Sequence, residues 1–128
     1  MRKLLLSFLI VVSCSDSDQY LWFQGTLDEA ISLLDKHPNK LVFLDFYSDG
    51  WGSCVRLDVE TLSDPKVKEF SKQNFISLKL KPWKDKKASK LFDDYMGEGI
   101  PLLIFINKDG DEVDRILGKM EKRFLFFP

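Results

Sequence analysis

The stretch of sequence that decides the fold is LVFLDFYSDGWGSC, which occupies residues 41–54. Its first seven residues are almost wholly apolar, as expected of a central strand that is covered on both faces. Asp45 is the only charged residue in that apolar run. A helix is predicted to begin between Gly52 and Cys54. The stretch therefore predicts a buried strand that runs into a loop ending in a single cysteine.

Length, composition and charge limit the possible functions. A chain of 128 residues is the size of one domain, and its 45% hydrophobic content is ordinary for a globular fold. The net charge of −1 gives no electrostatic drive toward nucleic acid, so no nucleic-acid partner is predicted. No phosphate-binding loop, dinucleotide-binding glycine pattern or Cys/His cluster is present, so no cofactor or metal is predicted. His37 is interpreted as a solvated loop residue, because catalytic zinc needs about three protein ligands.

Helix and strand signals follow one another along the chain. Thr26 and Glu29 form a capping box, and apolar residues at helical spacing predict a first helix that ends before Pro38. Residues 81–90 are predicted to be a basic loop, with a helix toward Met96 after it. The other predicted segments are helices at about 52–62 and 65–70, strands at 75–80 and 102–106, a hairpin turn at 107–110 and a return strand that ends at Gly118. This order predicts a central mixed α/β sheet flanked by helices on both faces.

The first 13 residues have the pattern of a targeting signal. Two cations, Arg2 and Lys3, precede an apolar run at residues 4–12 that is too short to cross a bilayer, which needs about 20 residues. Residues 11–14 resemble a bacterial lipobox. That resemblance implies cleavage before Cys14 and attachment of lipid to its thiol, which would hold the domain at a membrane. The alternative is an ordinary secretory signal in which Cys14 is incidental.

A lipid-modified Cys14 determines what the second cysteine can do. Cys54 would then be the only free thiol in an oxidising compartment, and no internal disulfide would be possible. The predicted location is the bacterial cell envelope, lipid-anchored on the periplasmic side. Residues 15–19 are polar and are interpreted as a short tether. The aromatic run at residues 20–23 is either an edge strand or a segment that packs on the first helix.

Residues 41–54 resemble the active-site segment of the thioredoxin superfamily, where a strand ending in Asp-Phe leads to Trp-Cys-Gly-Pro-Cys at the start of a helix. Residues 99–101 are similar to the cis-proline segment of that family, and residues 108–110 with Gly118 are similar to its final hairpin. Residues 56–67 resemble the thioredoxin-like domains of periplasmic thiol:disulfide interchange proteins. The resemblance implies a thioredoxin-like domain at residues 26–128, after a signal at 1–13 and a tether and N-terminal segment at 14–25.

The sequence departs from the family pattern at the active site and at the C-terminus. Aligned without gaps, Asp45 takes the place of the family's buried acid and Cys54 the place of its second, resolving cysteine. Trp51 stands where the family has its nucleophilic cysteine. The family closes with a full helix packed on the sheet, whereas residues 121–128 amount to about two turns. A truncated C-terminal helix is therefore predicted, with the terminal phenylalanines either replacing it or remaining exposed.

Two alternatives stay open for each of the candidate catalytic residues. Cys54 is either a small core residue, inert because burial raises the pKa of a thiol, or a monothiol that reacts because the glycine-containing loop is loose. Asp45 in the family moves the proton of the resolving thiol, which is general acid/base catalysis. Without the first cysteine, Asp45 either keeps that role or only satisfies nearby polar groups.

The candidate binding residues are Trp51, Ile100 and Pro101. The family's cis-proline loop offers backbone groups to an extended peptide, and an exposed tryptophan is a common contact anchor. Trp83 in the basic loop either extends this surface or packs beneath lysine stems, and the second interpretation is favoured. The Ile100–Pro101 bond is predicted to be cis.

The predicted function is that of a thiol:disulfide-interchange-type envelope protein that has lost dithiol catalysis and binds a protein or peptide client as a monomer. The alternative is a monothiol oxidoreductase that works through Cys54 with the thiol of a partner. A nonfunctional remnant is a third and weaker interpretation, which poor folding would support.

Overall fold

The structure is a computed structural model that describes residues 20–118. Its elements are α1 (Leu27–Leu33), β1 (Leu41–Phe46), α2 (Gly52–Arg56), a π-helical segment (Leu57–Leu62), α3 (Pro65–Asn74), β2 (Phe75–Leu80), α4 (Lys86–Asp94), β3 (Leu102–Ile106) and β4 (Glu112–Leu117). The predicted signal and tether, with Cys14, and the predicted truncated C-terminal helix lie outside the described residues. Between residues 20 and 118, no helix has the length and apolar character needed to span a bilayer.

The four strands of the described residues form one sheet in the order β2-β1-β3-β4. β1 runs parallel to β2 and antiparallel to β3, and β3 pairs antiparallel with β4. The mixed sheet expected from the sequence pattern is therefore confirmed, with the apolar stretch at its centre.

The two faces of the sheet carry separate cores because side chains alternate along a strand. Val42, Leu44 and Phe46 of β1 pack in a core that α1 and α4 cover. Phe43 packs on the opposite face with the π-helical segment and α3. Asp45 has the same parity as Phe43 and is 1% exposed, so the second face buries a carboxyl group within an apolar layer.

Side-chain caps set the start of three helices. The Thr26–Glu29 capping box is present, and Asp64 caps α3 with a proline at its first helical position, as predicted. The prediction for α4 was wrong at its start, since the helix begins at Lys86, within the expected basic loop. The reason is Asp85, whose carboxylate accepts a hydrogen bond from the backbone N–H of Lys87 and so caps the helix.

The aromatic run at residues 20–23 forms no strand but lies against the outer edge of β2. The backbone N–H of Phe23 donates to the Ser77 carbonyl at 2.7 Å, and the Tyr20 and Ser77 hydroxyl oxygens are 3.0 Å apart. Phe23 packs in the core that α1 covers, whereas Tyr20 and Trp22 pack in the other core. The run therefore contacts the cores on both faces of the sheet. The expected packing against the first helix holds for Phe23 but not for Tyr20 and Trp22.

Candidate functional site

The candidate site lies at one end of the sheet, where β1 ends and β3 begins. Phe46, the last residue of β1, is paired with Leu102, the first residue of β3. The loop to Trp51 leaves β1 at this end, and Pro101 enters β3 from it. The topology thus brings two segments that are distant in sequence to the same end of the sheet.

Asp45 is buried, and neither of its carboxylate oxygens has a hydrogen-bond partner within residues 20–118. The ammonium nitrogen of Lys79 lies 3.7 Å from Asp45 Oδ2, which is an ionic contact but too long for a hydrogen bond. Burial raises the pKa of Asp45 to about 7, the Lys79 charge opposes that rise, and the Asp58 charge adds to it. The effect of burial on the pKa of Asp45 is larger than the opposing effect of the Lys79 charge, so the carboxyl group titrates near neutral pH.

Lys79 is the centre of a small charged cluster that the sequence analysis missed. Its ammonium nitrogen lies 2.6 Å from Asp58 Oδ1, 4.5 Å from the Tyr47 ring centroid and 5.0 Å from the Trp22 ring centroid. A signal was present in the sequence, because a lysine interrupts the predicted strand at 75–80. In the observed parallel register Lys79 is the direct neighbour of Asp45. The register itself cannot be deduced from a single chain.

Cys54 lies in α2 and is 2% exposed, and it is the one free cysteine within residues 20–118. Burial raises the pKa of its thiol, and the carboxylates of Asp45 and Asp58 add to the rise. A backbone hydrogen bond from Ser48 and the charge of Lys79 oppose it. A thiol reacts as its thiolate, so this environment lowers the reactivity of Cys54.

Trp51 precedes α2 as its N-cap residue and is 57% exposed. Its backbone is extended, and its side chain makes no capping hydrogen bond. Gly50 has a φ of 72°, a left-handed conformation that favours glycine and turns the chain into the helix. The chain therefore projects an indole into solvent at the position where the family resemblance implies a nucleophilic thiol.

Ion pairs connect the loop before Trp51 to the loop after β2. Asp49 Oδ2 lies 2.5 Å from Lys81 Nζ and 3.7 Å from Lys84 Nζ. Trp83 follows on the second loop, where it is 65% exposed and its ring centroid is 5.7 Å from that of Phe92. The indole of Trp83 thus has an aromatic neighbour, which neither alternative for this residue predicted.

The Ile100–Pro101 peptide bond is cis, as predicted. Pro101 is buried, and its carbonyl accepts a hydrogen bond from the backbone N–H of Gly118 at 2.8 Å. Proline has no N–H to donate. Ile100 is half-buried, and no backbone hydrogen bond to it occurs within residues 20–118. The backbone groups available for an extended peptide therefore belong to Ile100, with Pro101 as its support.

The part of the chain that the structure describes contains no group of three His, Cys, Asp or Glu side chains arranged to hold a metal ion. The chemically distinctive groups at this end of the sheet are instead one buried carboxyl, one buried thiol, the Lys79–Asp58 pair and an exposed indole. The indole provides a surface for hydrophobic contact, and the buried carboxyl provides a group that can bind or release a proton.

The sequence profile described as a thioredoxin-like domain matches residues 27–125, well over half of the chain. The chain belongs to the thioredoxin-like domain family. The thiol:disulfide interchange protein DsbD of Pasteurella multocida (strain Pm70) is 34% identical over 93 residues. Those residues are 70% of this chain, and the chain spans 16% of the length of that relative.

Solved structures give the same family and fold. The oxidised C-terminal domain of DsbD from Neisseria meningitidis is 27% identical, with a TM-score of 0.65 and coverage of 83% of this chain and 95% of that one. Thioredoxin from Trichomonas vaginalis is 28% identical, with a TM-score of 0.58 and coverage of 84% and 92%. The thioredoxin-like fold predicted from residues 41–54 and 99–101 is therefore confirmed, as is the relationship to thiol:disulfide interchange proteins.

Proposed function

We propose that this thioredoxin-like protein has lost dithiol catalysis and binds extended polypeptide segments at the end of its sheet. The observation that carries the proposal is the pair of residues at the start of α2. Trp51 is exposed at the N-cap, and Cys54 is buried within the helix. Dithiol exchange needs a first thiolate to attack a substrate disulfide and a second to resolve the mixed disulfide. An indole can do neither.

Polypeptide binding is supported by the groups that remain at this end of the sheet. Trp51 offers a large exposed aromatic surface, and the backbone of Ile100, which no described backbone group pairs, offers hydrogen bonds of the kind that pair an added strand. Tryptophan is enriched among residues that dominate binding energy because its ring buries a large area. The client is a protein or peptide, bound by a monomer.

Reduced and alkylated insulin B chain tests this proposal, because it is an extended polypeptide without thiols. Fluorescence anisotropy is expected to detect its binding, and Trp51→Ala is expected to weaken that binding about tenfold or more, as for a residue that anchors an interface. Trp83→Ala is the matched control, since Trp83 is similarly exposed but packs on Phe92. Its expected effect is less than twofold. Equal binding by the unmodified protein and Trp51→Ala would contradict the proposal.

A location in the bacterial cell envelope, with a lipid anchor on Cys14, belongs to the same proposal. It is supported by the lipobox-like residues 11–14 and by the relationship to DsbD. Protein recovered from membranes is expected to have the mass of residues 14–128 plus lipid, and Cys14→Ala is expected to abolish the lipid. A soluble mature protein that is cleaved elsewhere and carries no lipid would count against the anchor.

The second candidate function, monothiol exchange through Cys54, has the presence of a free thiol in its favour. The burial of that thiol and its raised pKa act against it. Because Cys54 is 2% exposed, a partner would have to open the start of α2 before its own disulfide could reach the sulfur. We therefore place polypeptide binding first.

A further inference from the structure

We infer that a basic pocket at the opposite end of the sheet binds the headgroup of an anionic phospholipid. The pocket has a volume of about 280 Å³ and a floor of apolar side chains that includes Phe23, Leu33 and Phe75. His37, Lys40 and Lys72 supply the ionisable part of its lining, which contains no carboxylate among the described residues. An apolar floor with cationic side chains fits an amphiphile whose polar end is negatively charged.

The fold holds the ammonium group of Lys40 in place, and the charges of Lys40 and Lys72 are both available to an anion. Lys40 Nζ donates a hydrogen bond to the backbone carbonyl of Lys72 at 3.0 Å, which joins the entry to β1 to the end of α3. An ammonium group has three N–H donors, so two remain for a ligand. No carboxylate within residues 20–118 forms an ion pair with either lysine. Their charges are therefore not neutralised by the described part of the protein.

The course of the chain favours a lipid over a soluble anion as the occupant. Leu21 lines this pocket and is 68% exposed, so an apolar side chain stands beside the cationic groups. Nineteen residues precede Tyr20, and they include the predicted lipid attachment residue Cys14. The six residue steps from Cys14 to Tyr20 span at most about 20 Å. The part of this argument that uses Cys14 rests on the proposed anchor, whereas the charge of the pocket does not.

A membrane at this pocket would leave the candidate functional site accessible. His37, Lys40 and Lys72 lie at the N-terminal ends of β1 and β2, whereas Trp51 follows the C-terminal end of β1. The five residue steps of β1 separate the two ends by about 16 Å. A protein held by the basic pocket would thus direct Trp51 and Ile100 away from the lipid surface.

Vesicle binding tests the inference with the full chain carrying Cys14→Ala, which cannot be lipidated at that residue. Cosedimentation is measured with vesicles of phosphatidylglycerol and, separately, of phosphatidylcholine at low salt. Any affinity of the apolar residues 4–12 for bilayers is common to all variants. The measured quantity is therefore the preference for anionic vesicles, which is the affinity for phosphatidylglycerol divided by the affinity for phosphatidylcholine. Each lysine near an anionic surface adds about fivefold to binding, so Lys40→Gln with Lys72→Gln is expected to reduce that preference about 25-fold.

The control is Lys86→Gln with Lys87→Gln, which removes the same charge from the exposed start of α4 and is expected to change the preference less than twofold. Circular dichroism checks that both double variants are folded. Equal losses in the two double variants, or no loss in either, would overturn the inference. So would full competition by millimolar glycerol 3-phosphate, because it would indicate a site for free phosphate. Trp51→Ala should bind vesicles normally, which separates this result from failure of the polypeptide-binding proposal.

Discussion

Asp45→Asn is expected to increase the free energy of unfolding at pH 8 by roughly 2–4 kcal/mol. Burial raises the pKa of Asp45 from its ordinary value of 3.8 to about 7, and no described residue forms a hydrogen bond with either of its carboxylate oxygens. A rise of about three pKa units corresponds to about 4 kcal/mol of unfavourable free energy for the ionised form in the folded protein. The amide removes that charge while keeping the size of the side chain.

The stabilisation expected from Asp45→Asn depends on pH, because Asp45 titrates at different pH values in the folded and unfolded protein. Between about pH 4 and pH 7 the folded protein keeps a proton that the unfolded chain has lost. The free energy of unfolding attributable to Asp45 is therefore highest below pH 4, falls as the pH rises through this range, and stays low above pH 7. Urea denaturation measures the free energy of unfolding of both proteins. The value for Asp45→Asn should equal that of the unmodified protein at pH 4 and should exceed it by the predicted amount at pH 8.

Asp58→Asn is the matched control for this measurement. It removes the same charge from the other partner of Lys79, but it leaves Asp45 buried beside that lysine. The free energy of unfolding of Asp58→Asn should still fall between pH 4 and pH 7. If the profiles of Asp45→Asn and the unmodified protein run parallel from pH 4 to pH 8, Asp45 does not titrate near neutral pH and the account of its burial is wrong.

Trp51→Cys is expected to raise the rate of insulin reduction by dithiothreitol at least tenfold above background. Position 51 lies at the N-cap of α2, and a helix N-terminus lowers the pKa of a thiol. Its thiolate would attack an insulin disulfide and form a mixed disulfide. The thiol of Cys54, three residues later, would then displace the reduced insulin chain and form a disulfide with position 51. Dithiothreitol would reduce that disulfide and so complete the cycle.

Two controls separate dithiol turnover from other effects of changing Trp51. Trp51→Ser removes the indole without adding a thiol and should leave the rate at background. Trp51→Cys combined with Cys54→Ser retains the attacking thiol but cannot resolve the mixed disulfide, so its rate should fall well below that of the single variant. Equal rates for these two forms of the 51-thiol protein would mean that Cys54 cannot act as a resolving thiol in this loop.

The central strand and the start of α1 could be predicted because their signals are local, whereas the cis bond before β3 was expected from the family resemblance of residues 99–101. The apolar run at 41–47 has the length and β-branched and aromatic content typical of a buried strand, and the capping box at Thr26 identifies the start of α1. The lysine-rich composition of residues 81–90 indicates a loop, whereas the capping carboxylate of Asp85 starts α4 at Lys86, earlier than that composition predicts. Capping residues and apolar runs thus predict the ends of helices and strands in this chain, except where a segment of different composition overlaps them.

The electrostatic parts of the site could not be predicted because they depend on contacts between distant residues. Lys79 becomes the neighbour of Asp45 only in the parallel register of β1 and β2. Similarly, the Pro101 carbonyl is occupied only because β4 returns Gly118 beside it. The basic pocket likewise needs the α1–β1 loop, the end of α3 and residues 21–24 to meet. A single sequence contains the residues for each of these but not the pairing that joins them.

The loss of thiol catalysis is the central claim, and insulin reduction by the unmodified protein tests it most directly. The assay follows the precipitation of insulin B chain in dithiothreitol, with the unmodified protein and Cys54→Ser at equal concentrations. Because Trp51 cannot attack a disulfide and Cys54 is 2% exposed, both rates are predicted to equal the rate without protein. A rate above background that disappears in Cys54→Ser would contradict the account and identify a monothiol oxidoreductase.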